Sequence, residues 1–551
     1  MPTPDENSAD DRDPAPGAPI VGVSVGSALR TVSSLTLLSR LTGLTRDAVC
    51  SRLFGAGPVW SAFAFAFLLP NLFRRLFGEG ALAAAFLPEY SRLTHHDADR
   101  ARIYAGAVVR LLLLTLGSAT VLGEIVLLGL LLTPLAATGG LAMRLSLLTL
   151  PFTPLVCATA VLSAMLQVRG RFAVPAVAPI LVNVAIIAAA TGASLGFDAT
   201  PEQAILMVAA AVPLAGLAQV VLALATLGPA RPRLGARLSA VRVEVSSTLR
   251  RMAPVAVGMS AMQINSLMDG VIASWPVLIG RGLPGWINGG VYPLDTGANA
   301  TLFFAQRLYQ FPLGVFGIAL ATAAFPALAR GAGDTIAYGR TLHRSVRLSL
   351  FLGVPASVGL SLVASPLATV VYLGGAFDAE ASQRVTRVLL GYAPGVWAFG
   401  LTHVLTRGFY ARGDTRTPMR YALVSIVCNV VLSLSLIWWL REAALAWATT
   451  LCGIGQAAAL MRAERTANGS GWAVGLPGSL GRTLIAALVM AGVALTMDRQ
   501  LFSPEPSAVW GVEFRRLVVL VGVGAATFGG LSLLTNRAEL RWLLGRERAE
   551  H

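Results

Sequence analysis

From about residue 31 to about residue 535 the chain alternates apolar stretches of some twenty residues or more with short polar breaks. Each stretch has the ~20 residues that an α-helix needs to cross a hydrocarbon core roughly 30 Å thick. Counting such windows predicts about fourteen transmembrane helices, opening at 31–54 and 58–90 and closing at 442–462, 480–498 and 513–535. The expected class is an all-α polytopic membrane protein, with no room for a large soluble domain.

The breaks alternate in charge. Arg92, Arg100 and Arg102 share one side with Arg169 and Arg171, the run Arg231, Arg233, Arg237 and Arg242, and the groups around Arg330, Arg412, Arg462 and Arg541. Connections on the other side, such as 55–58, 133–140, 197–202 and 377–380, are neutral or acidic. Short cytoplasmic loops concentrate basic residues, so both termini are expected in the cytoplasm. Arg515 and Arg516 break the pattern at the outer end of the last span.

An internal repeat is visible at an offset of about 240 residues, or six helices. Phe77-Gly78, an alanine-rich run, Phe86, Pro88 and Arg92 return as Phe316-Gly317, another such run, Phe325, Pro326 and Arg330. Arg169, Arg171, Pro175 and Asn183 return as Arg412, Arg416, Pro418 and Asn429. An even number of spans preserves orientation, which predicts two six-helix lobes related by an axis along the membrane normal. The expected division is a disordered tail 1–28, lobes 29–242 and 243–466, two added helices in 467–536, and a tail 537–551.

Composition agrees: 55% of the 551 residues are hydrophobic and 13% charged, against about a quarter charged in soluble domains. The net charge of +15 comes entirely from arginine. In loops this charge sets topology, with an anionic substrate as a second contributor, and it does not point to nucleic acid. The scattered Cys50, Cys157, Cys428 and Cys452 read as free packing thiols. The acidic, proline-rich start is unlike a secretory signal.

The charges inside the first two helices carry the functional reading: Arg40, Arg46, Asp47, Arg52, Arg74, Arg75 and Glu79. One arginine at mid-membrane costs about 2.5–3.5 kcal/mol, so such a group lines a wet cavity or holds an anion. Guanidinium forks match phosphate oxygens, which favours phosphate or pyrophosphate over a carboxylate. Arg75 and Glu79, at i and i+4, suit an ion pair that leaves Arg74 available, and Arg52 suits an interface anchor. Pro70 and Gly78 predict a broken second helix. Arg307, deep in the span 297–329, either faces these arginines across the lobes or pairs with Asp269. Asp269, Asn429, Ser433 and Thr449 offer oxygens for a monovalent cation or for interhelical hydrogen bonds. No nucleotide loop, zinc motif or nucleophile elbow is present, so an enzyme is not expected.

The segments SRLTGLTRDAVCSRLFGAG, LLPNLFRRLFGEGALAAAFLPEYSRL, VRGRFAVPAVAPILVNV, RLYQFPLGVFGIALATAAFP and GFYARGDTRTP resemble the MurJ (MviN) lipid II flippase family of the MOP exporter superfamily. The resemblance covers nearly all of the chain after the tail. It implies the MOP flippase fold in a bacterial inner membrane, with lipid II as substrate and partner, alternating access, a monomer, and association with cell-wall synthesis proteins. It places the substrate cavity on Ser39, Arg40, Arg46, Asp47, Arg74, Glu79 and Arg307, beside Arg75, and a lipid-tail groove on the last two helices. It also implies a sodium ion at Asp269, Asn429, Ser433 and Thr449, or else the membrane potential, as driving force. Ser433 stands where relatives with that ion have a carboxylate, Ser61 stands where many have an aspartate, and the outer loop Trp275 to Asn299 is longer. Alternatives are an exporter of another polyprenyl-linked glycan or of a drug, and a non-transporting scaffold for cell-wall synthesis.

Overall fold

The computed structural model describes residues 25–78, 81–282, 290–469, 471–503 and 509–543. Among them the regular structure is helical apart from two isolated β-bridges, Gly282 with Val291 and Gly374 with Phe377. An all-helical chain satisfies its backbone polar groups internally, as a bilayer requires. The first half comprises α1 (Val25–Phe54), α2 (Pro58–Ala66), α3 (Leu68–Phe73), α4 (Ala81–His96), α5 (Ala98–Leu131), α6 (Ala136–Thr149), α7 (Phe152–Val168), α8 (Ala173–Gly196) and α9 (Pro201–Leu227). The second comprises α10 (Arg242–Leu278), α11 (Ala298–Pro312), α12 (Ala319–Gly331), α13 (Thr335–Leu362), α14 (Ala364–Tyr372), α15 (Ala379–Tyr392), α16 (Val396–Ala411), α17 (Arg416–Leu440) and α18 (Ala443–Asn468). Then follow α19 (Leu476–Leu501), α20 (Trp510–Thr535) and the short α21 (Arg537–Leu543). Most of the tail expected over 1–28 lies outside the described residues, but α1 begins at Val25, inside it.

Eleven helical segments among the described residues are long and apolar enough to cross a membrane. The three expected spans outside that set are α1, the run from α2 to α4, and α10. α1 carries Arg40, Arg46 and Asp47 and α10 carries Arg250, Arg251 and Asp269, while the second span carries Arg74 and Arg75 and is divided into helices of 9, 6 and 16 residues. Apolarity by itself therefore supports eleven spans, not fourteen.

The second span is broken, as Pro70 and Gly78 predict. α2 ends at Ala66 with Phe67 as its cap, α3 follows, and Arg74–Gly78 forms a π-helical turn before α4. In the second half a π-helical segment, Leu313–Ile318, interrupts the helix between α11 and α12. Each irregular segment contains the Phe-Gly pair of the sequence repeat, so the echo marks one structural device used twice. A wide turn of this kind leaves backbone groups free to face a cavity.

Three apolar cores show how the halves meet. At the arginine-poor end a single core runs through both, joining Cys50, Trp60 and Ile205 to Phe304, Tyr372, Val388 and Leu445. Toward the arginine-rich end the core divides in two: Phe86, Tyr104 and Leu166 of the first half with Val245 at the start of α10, and Tyr338, Leu405 and Leu460 in the second half. A cleft that opens toward the arginine-rich end follows from that division.

Hydrogen bonds seal the other end. Asn299 donates to the Ser61 carbonyl (3.3 Å), Ala300 N–H to Ser61 Oγ (3.0 Å), Ala376 N–H to the Arg52 carbonyl (2.8 Å), and Thr138 to the Leu278 carbonyl (3.2 Å). The described part of the long loop belongs to this seal. Leu294 is buried in the shared core, and Arg384 pairs with both Asp295 and Glu442 at 2.8 Å.

Arg516, which breaks the loop-charge pattern, donates two hydrogen bonds of 2.6 Å to Asp498 and lies 3.6 Å from Glu513. Its charge is thus paired within the added helices. At the opposite end Glu539 of α21 accepts from Ser479 at 2.6 Å and from Arg347, tying the added helices to α13.

Candidate functional site

Asp47 of α1 sits at the floor of the cleft, one turn before the shared core begins at Cys50. Its side chain is 4% exposed and stands between two arginines. Oδ1 accepts from Arg46 Nε at 2.9 Å and from Nη2 at 2.5 Å. Oδ2 lies 3.6 Å from Nε of Arg307 on α11, whose guanidinium stacks over Phe303 at 4.7 Å. The bridge thus joins the halves, and two guanidinium groups share one carboxylate. Arg307 pairs with Asp47, so the pairing with Asp269 entertained from sequence is not what forms.

Further cations surround the bridge. Arg46, Arg74 and Arg75 are each near enough to Arg307 to repel it. Arg74 donates to Asn71 on its own helix at 3.0 and 3.3 Å, and Arg75 reaches Gln263 of α10 at 3.0 Å. Glu79, the expected partner of Arg75, lies outside the described residues. Arg40 crosses from α1 to the second π-helical segment, where both terminal nitrogens lie 3.1 Å from the place a Cβ of Gly314 would occupy. A side chain at Gly314 would press on the guanidinium there. Ser39 takes part through its carbonyl, which accepts from Asn183 at 3.3 Å. Arg52 instead lies at the sealed end, its carbonyl bonded to Ala376. With more positive than negative groups gathered in one cleft, the arrangement suits an anion with several oxygens.

A second polar cluster lies within the second half. A cavity of about 90 Å³ is lined by Asn265, Asp269, Gln306, Tyr309, Thr402 and Gln456, among others. Thr449 lies 3.0 Å from Asp269 Oδ2, and Asn429 is 3.0 Å from Thr449 Oγ1. With its oxygen turned inward, Asn429 faces the oxygens of Asp269 and Asn265, acceptor against acceptor, which a cation between them would make favourable. Turned over, its nitrogen donates to Asp269 Oδ1 at 3.0 Å and to Asn265 Oδ1 at 3.1 Å, and the cluster satisfies itself. The residues therefore fit a cation without requiring one. One carboxylate among neutral oxygens suits a monovalent ion, and among the described residues no group of three His, Cys, Asp or Glu side chains offers a transition-metal site. Ser433, at 3.5 Å from Asn429, is a distant member.

Sequence reasoning brought out the charged residues of both clusters together with Ser39, Asn429, Ser433 and Thr449, and missed Asn183, Gln263 and Asn265 as members. For Asn183 a signal existed, since it is the repeat counterpart of Asn429.

The chain as a whole is similar to known proteins. The family described as "Lipid II flippase MurJ" matches residues 50–506. A relative from Vibrio cholerae, "Probable lipid II flippase MurJ", is 33% identical over 531 residues, covering 91% of this chain and 94% of its own. A solved structure of "Lipid II flippase MurJ, inward closed conformation" superposes with a TM-score of 0.74 at 20% identity, covering 93% of this chain and 99% of that one. A multidrug resistance MATE family transporter of the MOP superfamily in its inward-facing conformation superposes at 0.61 with 14% identity, over 80% of this chain and 98% of that one, and so shares the fold.

Proposed function

The chain belongs to the lipid II flippase MurJ family, and from that premise we propose that it carries lipid II, the undecaprenyl-pyrophosphate-linked peptidoglycan precursor, from the cytoplasmic to the outer leaflet. The observation that carries this reading is the Arg46–Asp47–Arg307 bridge, a surplus of guanidinium groups drawn from both halves at the floor of a cleft. The arginine-rich end is taken as cytoplasmic by the distribution of basic loops, so both termini are cytoplasmic and the cleft opens to the side where lipid II is made. The headgroup enters there, and its pyrophosphate takes up the N–H groups that Asp47 leaves open on Arg46 and Arg307. Arg40, Arg74 and Arg75 hold the rim positive. Rocking the halves would then separate the shared core and close the arginine-rich end. α19 and α20 offer the polyprenyl tail an apolar surface outside the cleft. Lipid II crosses without any bond being made or broken, so we assign no enzymatic step. Nothing in this reading requires a second copy or a soluble partner.

Directional transport needs a driving force, and moving one charge through 100 mV is worth about 2.3 kcal/mol. The donor set of Asp269, Asn265, Asn429 and Thr449 would hold a sodium ion, which would supply a charge coupled to the second half. Sodium is then expected to raise the thermal stability of the wild-type protein relative to potassium. By mass action this is worth about 2.7 kcal/mol at a hundredfold excess over Kd. Asp269→Asn should abolish that sodium-specific gain. A gain that persists in the variant would remove the ion from this site.

The substrate assignment is tested by binding to purified protein in nanodiscs. Lipid II should bind at least about tenfold more tightly than an undecaprenyl-pyrophosphate-linked O-antigen unit, a difference of ~1.4 kcal/mol. Equal binding would assign the protein to polyprenyl-pyrophosphate glycans at large.

A further inference from the structure

The residue that orients Arg46 is not one of the charged set. Asn183 lies in α8 within an otherwise apolar stretch, AVPAVAPILVNVAII, and is 7% exposed. A buried amide in such a helix needs partners. Its Nδ2 donates to the Ser39 carbonyl at 3.3 Å and to Thr42 Oγ1 at 3.2 Å, both on α1. Its Oδ1 accepts from Arg46 Nη1 at 3.0 Å. Because both acceptors on α1 face the nitrogen, the amide has one workable orientation, and in it the oxygen meets the guanidinium.

Arg46 is consequently held from two directions, by Asp47 on its own helix and by Asn183 from α8. Those contacts occupy Nε–H, one N–H of Nη1 and one of Nη2. A guanidinium has five N–H groups, so one remains on each terminal nitrogen, the complement a phosphate takes in a two-pronged contact. Held by Asp47 alone, the same side chain would be free to rotate its terminal nitrogens out of register.

The second half repeats the device with the sign reversed. On the corresponding helix, α17, Asn429 sits about one turn further along and brackets Asp269 of α10. α1 and α10 are the opening helices of their halves. In each half, then, a buried asparagine holds the ionisable side chain of the opening helix, an arginine in one and a carboxyl group in the other.

We infer that Asn183 is the positioning residue of the headgroup site, fixing the Arg46 guanidinium so that one N–H on each terminal nitrogen is presented to a phosphate of the substrate. This rests on the lipid II reading above. The test is a double-mutant cycle of lipid II affinity in nanodiscs with wild type, Arg46→Ala, Asn183→Leu and the double variant, with thermal stability followed in parallel. Asn183→Leu should weaken binding by about tenfold, and Arg46→Ala by at least as much. The double variant should bind no more weakly than Arg46→Ala, since Asn183 acts through that arginine. If Asn183→Leu does not fold, Asn183→Ser removes the same acceptor with less disturbance. Unchanged affinity in the asparagine variant, or losses that multiply in the double variant as for a merely structural tie between α1 and α8, overturns the inference. An Arg46→Ala variant that binds lipid II normally instead overturns the lipid II site itself.

Discussion

Arg307→Ala is expected to abolish complementation of a flippase-depleted strain while the protein still reaches the membrane folded. Two features make the effect large. Arg307 supplies the second half's charge at the bridge, and its Nε makes no hydrogen bond in a buried setting, facing Asp47 only at 3.6 Å. A donor left in that state adds to the two N–H groups that Arg46, held by Asp47 and Asn183, still offers a ligand. Hydrogen bonds to charged groups contribute about 1.5–3 kcal/mol, so losing even one should weaken headgroup binding by roughly tenfold to over a hundredfold.

Stability should move the other way or not at all. Truncation relieves repulsion from Arg46, Arg74 and Arg75, and Asp47 keeps its two hydrogen bonds from Arg46. Thermal unfolding in detergent should therefore show an undiminished midpoint. Arg307→Lys keeps the charge without the fork and should retain only part of the activity. Full complementation by the alanine variant would mean that the bridge is structural and that the substrate binds elsewhere.

The second large effect is expected at the sealed end. A Cβ on Gly297 would lie 2.5 Å from the Ala56 carbonyl oxygen of the opposite half, closer than real Cβ atoms approach. Its φ of −91° is one that any residue adopts, so Gly297→Ala tests the contact alone and no backbone strain. The obstacle is backbone rather than a flexible side chain, and the segment is held by Arg384, Asp295 and Glu442. Overpacking of this kind costs about 1–3 kcal/mol. The cost falls on the sealed state and not on a state in which the halves have parted there, so the balance should shift by about 5- to 150-fold toward opening at that end. A cysteine placed in the cleft of an otherwise cysteine-free protein should then react faster with a membrane-impermeant thiol reagent added outside. Unaltered labelling with unaltered stability would show that this contact does not separate during transport.

How much of this was legible in the sequence depends on how costly each residue is to place. Charged groups in apolar helices stand out because nothing but a ligand, a partner or water justifies them, so Arg46, Asp47, Arg74 and Asp269 were found directly. The break in the second span was visible because proline and glycine act locally. Asn183 and Gln263 were passed over because a neutral amide in a membrane helix is cheap enough to have many explanations. Arg307 was singled out, but whether it faces the first-half arginines or pairs with Asp269 stayed open, and Asp47 was not among its expected partners. The partner of Arg516 was not legible because Asp498, eighteen residues earlier on another helix, is brought to it only by the packing of α19 against α20.

The sequence by itself determined that the chain is helical and membrane-spanning, that its halves repeat, and that its first helices carry an anion's worth of arginine. These properties follow from hydrophobic length, charge cost and local turn chemistry, which act over one or two helices. Tertiary structure decided which carboxylate Arg307 meets, which end of the cleft is closed, and what holds Arg46 in register. Those outcomes depend on contacts between helices more than a hundred residues apart, from Asn183 to Arg46 and from Asp47 to Arg307. Their distances are set by the shared core at one end and the separate cores at the other, and no local pattern along the chain records how two halves lean together.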